Sequence, residues 1–358
     1  MGEDTLKDLC WKTAELATQL SDRPWTKNWP LARYYYLCEK EYDKALEYLD
    51  KAYEGNRNDI YYLMNASWIN MRADRWQDSY SIYRRVIELE PTETNRYSYL
   101  AWLDWYMRNY PESINNFRRY LTMYPQSTKI VIQLAQVYVE WKADTEASRD
   151  VLREFSSTAD TTSTMWQDWL ITLDVFEKNY DQAIKRVNQR DRDQSRHLGL
   201  AWIYRGLGDT ALAYIYADSG LKQSIQDVEE NPDLYNFYGA LAWNYALLGD
   251  KANTVKAWNK RIELMPLSRD AGSQKTGGIV NLVTRYALWG ETEIALAHLD
   301  TLLSVPSSVG LGSILLDPDM KRLVEHEGFL DIMNEHADTA QWRVYNELIK
   351  SEDERPEI

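Results

Sequence analysis

Apolar positions along the chain follow the period of a helix face and not the alternation of a strand. Large apolar side chains return at spacings of three and four residues, so they share one side of a helix. The whole pattern then recurs after 34 residues, with Tyr42, Trp76 and Tyr110 in equivalent places and Pro91 and Pro125 in another. A sustained period of this length predicts tandem helical hairpins that stack on one another, because one hairpin alone cannot bury its apolar face.

The repeat divides the chain into a series of predicted units. Four units starting at Thr26, Ile60, Thr94 and Thr128 share one register, and four looser ones follow. We expect an N-terminal helix and cap over 1–25 and a C-terminal cap segment, final helix and acidic tail over 304–358. The eight units between them, over 26–303, are 26–59, 60–93, 94–127, 128–163, 164–193, 194–234, 235–275 and 276–303. The longer interval after the sixth unit predicts an extended helix or loop around Gln223 to Asn231.

Particular residue types recur at fixed places within each unit. Alanine or serine at positions 8 and 20 would let the two helices of a hairpin approach closely. Gly208, Gly249 and Gly290 would adopt the left-handed conformation that ends a helix. Pro91, Pro125 and Pro266 would stop the second helix of a unit.

These positions match the pattern W-x2-L-G-x2-Y…A-x3-F…P, and over 26–303 the chain resembles the tetratricopeptide-repeat (TPR) family. The resemblance implies an all-α, right-handed superhelix of helical hairpins whose first helices line a concave face. It also implies a role in binding peptides or assembling partners, usually without chemistry. The tail around Leu316-Asp317-Pro318-Asp319 and Gly328-Phe329 is similar to the closing segment of bacterial TPR regions attached to regulatory or enzymatic domains. A polar cap over the last repeat is the equally good physical interpretation.

Positions 2, 5, 9 and 12 of each unit lie on one helix face, which in the family is concave and open to solvent. Aromatic residues and methionine are unusually frequent there. The predicted groove residues are Tyr34, Tyr61, Met64, Trp68, Trp102, Trp105, Trp202 and Trp243. Two interpretations stay open: the rings stiffen the stack by packing against the next unit, or they form an aromatic strip that binds a peptide.

Composition narrows the class of partner. The chain carries 55 acidic and 41 basic residues, a net charge of −14, and no long basic block, so we expect neither nucleic acid nor insertion in a membrane. We expect a protein or peptide partner, either basic or apolar, and self-association into a homo-oligomer stays open. Two cysteines give neither a disulfide framework nor a metal knuckle and favour a reducing, cytoplasmic location. No secretory signal is evident at the N-terminus.

No motif for chemistry is evident. The stretch 271–276 resembles a phosphate loop, but Gln274 stands where glycine is needed, and we interpret it as a loop between repeats. The four histidines have no metal-ligand spacing, and no nucleophile or cofactor motif is present. The sequence therefore predicts a non-enzymatic binding scaffold without cofactor or metal. The alternatives are a regulatory or self-association module of a larger bacterial enzyme or sensor, and an exported glycan-binding protein that stacks sugars on Trp68, Trp102, Trp202 and Trp243.

Overall fold

The computed structural model describes residues 3–20, 23–189, 194–265 and 271–353. Within these ranges the chain is helical and contains no strand. The helices of the first half are α1 (Glu3–Leu20), α2 (Pro24–Tyr34), α3 (Tyr42–Ala52), α4 (Ile60–Arg72), α5 (Trp76–Leu89), α6 (Tyr97–Tyr106), α7 (Tyr110–Leu121), α8 (Thr128–Lys142), α9 (Thr145–Phe155), α10 (Thr164–Phe176) and α11 (Tyr180–Asn188). Those of the second half are α12 (Gln194–Leu207), α13 (Thr210–Glu230), α14 (Tyr235–Leu247), α15 (Lys251–Leu264), α16 (Ala271–Leu288), α17 (Thr292–Ser304), α18 (Leu311–Leu316), α19 (Lys321–Val324), α20 (Phe329–His336) and α21 (Thr339–Asp353).

Helices α2 to α17 follow one another as eight hairpins of consecutive helices, from α2 with α3 to α16 with α17. The all-α fold of TPR-like hairpins predicted from the repeat is thereby confirmed. A short π-helical turn, Tyr35–Glu39, extends α2, and single 3-10 turns cover Thr94–Arg96 and Pro318–Met320.

Small side chains lie where the two helices of a hairpin pack against each other. Seven of the alanines at positions 8 and 20 are 0% exposed, so the two helix backbones meet directly over them. They are Ala45, Ala101, Ala135, Ala183, Ala201, Ala242 and Ala295. The second repeat, 60–93, has serines at these two positions, and Ser67 Oγ lies 2.9 Å from both the carbonyl and the hydroxyl oxygen of Ser79. Because each polar group there has a partner, serine can replace alanine without leaving a buried group unsatisfied.

The turn inside each hairpin needs one residue in the left-handed region. Gly208, Gly249 and Gly290 have φ of +79°, +75° and +72°, as the sequence predicts. In five earlier hairpins the residue at this place has a Cβ atom, so its left-handed conformation is slightly strained. These residues are Lys40, Asp74, Arg108, Ala143 and Lys178.

Beyond the repeats, the chain forms two compact units. Of the described residues, the first unit contains 3–100 and 271–275, and the second contains 101–265 and 276–353. The first has an aromatic-rich core centred on Tyr36, Leu49 and Ile69. The largest core of the second is built from α6 to α10 and includes Phe117 and Leu134. Further cores follow along the later hairpins, and the last one joins α16 and α17 to the helices after residue 310.

Three sequence expectations about individual segments can be checked. The extended element predicted around Gln223 to Asn231 is helix α13, which has 21 residues and lies within the sixth repeat. The stretch 271–276, expected to be a loop, instead forms the start of α16, because one glycine and a polar run lower helix propensity without preventing a helix. Helices α5 and α7 end before Pro91 and Pro125, whereas Pro266 lies outside the described residues.

A buried ion network joins three helices of the second unit. Asp174 on α10 accepts from Arg149 on α9 at 2.6 Å and from Arg186 on α11 at 2.7 Å. Glu177 shares Arg149, with contacts of 2.8 to 3.0 Å. Only 3% of the Asp174 side chain is exposed, so its charge depends on the two guanidinium groups.

We expect Asp174→Asn to lower the free energy of unfolding by about 3 kcal/mol, because it leaves two largely buried arginines without their shared carboxylate. Urea denaturation followed by circular dichroism measures the effect. The control is Asp150→Asn, which removes an exposed partner of Arg153 on the neighbouring helix and should change stability by less than about 0.5 kcal/mol. Equal effects of the two substitutions would contradict the network's structural role.

Candidate functional site

In the first unit, the predicted groove residues lie on the first helices of two hairpins, Tyr34 on α2 and Tyr61, Met64 and Trp68 on α4. Tyr61 is 64% exposed, whereas the other three are half-buried. Tyr61, Met64 and Trp68 are three and four residues apart, so they form one face of α4, which we call the α4 face.

The polar groups beside these side chains already have partners. The Tyr34 hydroxyl donates to Glu39 at 2.6 Å, and this hydrogen bond to an anion, helped by burial, raises the Tyr34 pKa above its usual range. The Tyr34 ring also packs on Trp11 of α1, with 5.0 Å between ring centroids. Recognition at Tyr34 would therefore use ring surface and not a free hydroxyl.

The α4 face is supported from behind by residues 90–99 of the same unit. Trp68 meets the ring of Tyr99 edge-on at 6.1 Å. Arg96 places Nη1 3.0 Å from the Met64 sulfur while it binds Glu90 through Nε and Nη2. These contacts hold Trp68 and Met64 in place and leave Tyr61 as the projecting side chain.

In the second unit the predicted groove residues differ widely in exposure. Trp105 is 5% exposed and belongs to the core of α6 to α10, so little of its ring is available to a partner. Trp102 is half-buried, with its ring 4.0 Å from that of Tyr106. Trp243 on α14 is half-buried as well. The fourth residue, Trp202, contacts another part of the chain.

Residues 305–320, which we call the docked segment, lie against the C-terminal ends of first helices in the second unit. The Ser307 amide donates to the carbonyl of Tyr106 at 2.8 Å, at the end of α6. Arg108, in the turn that follows, donates to the carbonyls of Val305 and Leu302 at 2.8 and 3.1 Å. Helix α18 then packs on α8, and the turn after α18 packs on α12.

Trp202 and Arg205 of α12 bind the two aspartates of the docked segment. The Trp202 indole N–H donates to Asp317 Oδ1 at 3.0 Å. Arg205 binds Asp319 with two parallel bonds, Nε to Oδ1 at 2.7 Å and Nη2 to Oδ2 at 2.6 Å. A tryptophan at a predicted groove position thus contacts another segment of the same chain.

Glycines let the docked segment touch the backbone of α8. A Cβ atom on Gly312 would lie 1.9 Å from the Val139 carbonyl oxygen and 2.7 Å from the Ala143 nitrogen. One on Gly310 would lie 2.4 Å from the Glu140 carbonyl oxygen. Backbone atoms cannot swing aside as a flexible side chain can, so this approach requires glycine.

Two half-buried carboxyl groups lie at this contact, one on each side. Glu140 Oε2 of α8 accepts from the Gly310 amide at 2.7 Å and from the Ser313 hydroxyl at 2.5 Å. Burial nevertheless raises the Glu140 pKa to about 7. Burial, with the nearby charge of Asp319, raises the Asp317 pKa to about 7. Docking therefore favours the protonated form of both groups.

Sequence reasoning identified the motif Leu316-Asp317-Pro318-Asp319 and offered two interpretations, the closing segment of TPR regions attached to other domains and a cap for the last repeat. Helices α19 and α20 do pack on α17. The contact with α8 and α12 was missed, since Glu140 and Gly310 are 170 residues apart and no periodic signal connects them. The pair of aspartates around a proline was the one available signal.

Two further features lie in the second unit. A pocket of about 280 Å³ opens between the ends of α10 and α12 and the docked segment, lined among others by Phe176, Tyr180 and Lys321.

Within the described part of the chain, one group of side chains has the spacing of metal ligands, namely Asp300, Glu335 and His336. His336 Nε2 already lies 2.8 Å from Asp300 Oδ1, and the two residues belong to different helices, which explains why sequence spacing did not indicate them.

The geometry defines an all-α protein of tandem TPR-like hairpins with aromatic first-helix faces. No protein-family model and no curated protein matches the chain. None of the helices described has the length and hydrophobicity needed to cross a membrane.

Solved structures with a similar arrangement of helices include a monomeric mutant of IFIT1 with Gppp-AAAA, at a TM-score of 0.47 and 12% identity over 96% of this chain and 87% of that one. The human IFIT1 dimer with m7Gppp-AAAA gives 0.45 and 14% over 98% and 86%. A tetratricopeptide repeat protein from Parabacteroides merdae gives 0.34 and 14% over 82% and 99%. Since every score lies below 0.5, the likeness carries no functional argument.

Gly312→Ala should displace the docked segment while the hairpins stay folded. Overpacking against fixed backbone costs about 2 kcal/mol, so amide exchange within 305–320 should rise roughly 30-fold. Hydrogen exchange with mass spectrometry measures this segment separately from the rest. Gly277→Ala is the control, because a Cβ on this helical glycine meets nothing within 4 Å. Unchanged exchange in the Gly312 variant would contradict the backbone contact.

Docking should weaken as the pH rises. Both carboxyl pKa values lie above those of the undocked groups, so the stabilisation is complete below about pH 4 and is lost by a few kcal/mol as the pH passes about 7. Exchange within 305–320, corrected for the intrinsic rate, should therefore be faster at pH 8 than at pH 5.

The variant Glu140→Gln/Asp317→Asn keeps acceptors for the same donors and should remove this pH dependence. Glu154→Gln, an exposed partner of Arg118, should leave it unchanged. Slower exchange of the wild-type segment at pH 8 than at pH 5 would refute the assignment.

Proposed function

We propose that the protein is a non-enzymatic scaffold whose first-helix faces bind a segment of a partner protein. The observation that carries the proposal is the self-contact in the second unit, where Trp202 and Arg205 hold the Asp317 and Asp319 side chains of the docked segment. A tryptophan at one of the predicted groove positions therefore already contacts polypeptide.

The α4 face of the first unit is the surface we propose for the partner. Tyr61 projects from it, with Met64 and Trp68 fixed beside it by Arg96 and Tyr99. Preordered aromatic side chains lose little entropy on binding, which makes them effective contact residues.

The partner segment that fits this face is apolar. Arg96 is engaged by Glu90, and Asp59 caps α4 by accepting from the Tyr61 and Tyr62 amides. Those charges are already used within the unit, so ring faces and the methionine side chain supply the contact area. A basic partner remains the alternative and would depend on salt, since exposed charge pairs are screened.

In the second unit, the docked segment covers Trp202, so a partner there would have to displace it. Trp102 and Trp243 remain proposed contact residues because both are half-buried. Trp105 would need a rearrangement of the core to contact a partner.

Tyr61→Ala should weaken binding of a selected peptide at least about tenfold, because an exposed tyrosine at the centre of a contact contributes about 1.4 kcal/mol or more. Peptides are selected from a displayed random library on the immobilised chain, synthesised, and titrated by fluorescence anisotropy. Tyr214→Ala is the matched control, since this residue of α13, a second helix, is 60% exposed and lies off the first-helix faces.

Loss of peptide binding in the Tyr214 variant alone would contradict the α4 face and place the binding site on the second helices. Peptides whose affinity falls steeply with salt would indicate the basic partner in place of the apolar one. An RNA oligonucleotide titrated in parallel tests the expectation against nucleic acid, and binding of RNA that depends on Tyr61 would overturn a protein partner.

A further inference from the structure

The pocket between the ends of α10 and α12 and the docked segment has a volume of about 280 Å³. Ligand pockets in proteins begin at about 300 Å³, so this one has room for a single small molecule. Its apolar lining comes from α10, α18, α19 and α21, through Val175, Phe176, Leu315, Leu316, Val324 and Ile349. An apolar body placed there is removed from water, which favours its binding.

Three polar groups at the pocket have unused donors. Among the described residues, no acceptor is found for the Tyr180 hydroxyl or for the ammonium group of Lys178, and both residues line the pocket. Arg205 binds Asp319 through Nε and Nη2, so its third nitrogen, Nη1, has no described acceptor. None of these three groups is fully enclosed by protein, so a ligand can reach them.

The Tyr180 hydroxyl is a positioned donor. A Cβ atom on Gly206 of α12 would lie 2.8 Å from Cε1 and 2.9 Å from the hydroxyl oxygen of Tyr180, so the ring rests directly on the glycine. Burial raises the pKa of Tyr180, and its hydroxyl therefore keeps its proton at neutral pH. A fixed donor of this kind loses little freedom when it binds an acceptor.

The carboxyl groups that line the pocket already have partners. Glu325 pairs with Lys321 at 3.1 Å. Asp317 accepts from the Trp202 indole N–H at 3.0 Å, and burial raises its pKa to about 7, so it adds less than one full negative charge at neutral pH. No described carboxylate pairs with Lys178, and the unused donors therefore favour an occupant that brings an acceptor and a negative charge.

We propose that this pocket binds a small monocarboxylate with an apolar body, of the class of medium-chain fatty acids. The carboxylate accepts from the Tyr180 hydroxyl and from Lys178, with Arg205 Nη1 as a further donor. The hydrocarbon chain packs among the apolar side chains of the lining. This site lies in the second unit and does not depend on the α4 face or on its proposed partner.

Such a ligand would stabilise the docked segment. It touches α10 and α12 on one side and Leu315, Leu316 and Pro318 of the docked segment on the other. Undocking opens the pocket, so the ligand binds only the docked form and slows undocking exchange by the factor 1 + [L]/Kd.

The test measures hydrogen exchange within 305–320 of the full chain, with and without 1 mM octanoate. We expect exchange to slow about tenfold for a dissociation constant near 0.1 mM. Isothermal titration with octanoate should give one site per chain. Octan-1-ol and octylammonium carry the same chain without the carboxylate, and each should bind at least about tenfold more weakly.

The variant Lys178→Gln/Tyr180→Phe removes a charge and a hydroxyl but keeps the ring on Gly206. It should weaken octanoate binding at least about tenfold and leave octan-1-ol binding nearly unchanged. Lys185→Gln is the matched control, because this exposed lysine of α11 does not line the pocket, and it should bind octanoate as the wild type does. Ile349→Trp fills the pocket from α21 and should abolish binding of both octanoate and octan-1-ol.

Three outcomes would overturn the proposal. The first is the absence of both titration heat and slower exchange with octanoate. The second is octan-1-ol or octylammonium binding as tightly as octanoate, which would exclude a carboxylate site. The third is unchanged octanoate binding in Ile349→Trp, or equal weakening by Lys185→Gln and Lys178→Gln/Tyr180→Phe, since either result would place octanoate outside this pocket.

Discussion

The close approach of paired helices is the constraint on which the rest of the molecule depends. Fully buried alanines at the crossings, such as Ala45, Ala135 and Ala242, leave no room for a larger side chain between the two backbones. Large side chains are thereby restricted to the spaces between hairpins and to the exposed faces. Because the first helices carry many aromatic residues, some rings remain half-exposed on those faces.

The docked segment also depends on a close approach of two backbones, in this case its own and that of α8. Gly312 brings its backbone against the Val139 carbonyl of α8 in the way that the buried alanines bring helix to helix. Polar contacts then fix its register, through Glu140 on α8 and through Trp202 and Arg205 on α12. In the second unit, α8 and α12 therefore hold a segment of the same unit, whereas the α4 face of the first unit presents Tyr61 to solvent.

The arginines of the second unit differ in whether a described carboxylate neutralises them. Arg149 and Arg186 meet Asp174, and Arg205 meets Asp319, so these cations are satisfied within the fold. Arg285 differs because its bidentate edge is buried and has no acceptor among the described residues.

The sequence by itself determined the hairpins, the buried alanines and the left-handed turns at Gly208, Gly249 and Gly290, because each depends on residues close together in the chain. It also placed aromatic side chains on the first helices, but it did not distinguish buried Trp105 from exposed Tyr61. Only the tertiary structure decided the contact of Trp202 with Asp317, which joins residues 115 apart, and the burial of two Arg285 nitrogens without a partner among the described residues. Periodicity reports which face of a helix is apolar, whereas burial and charge compensation depend on which distant segment covers that face.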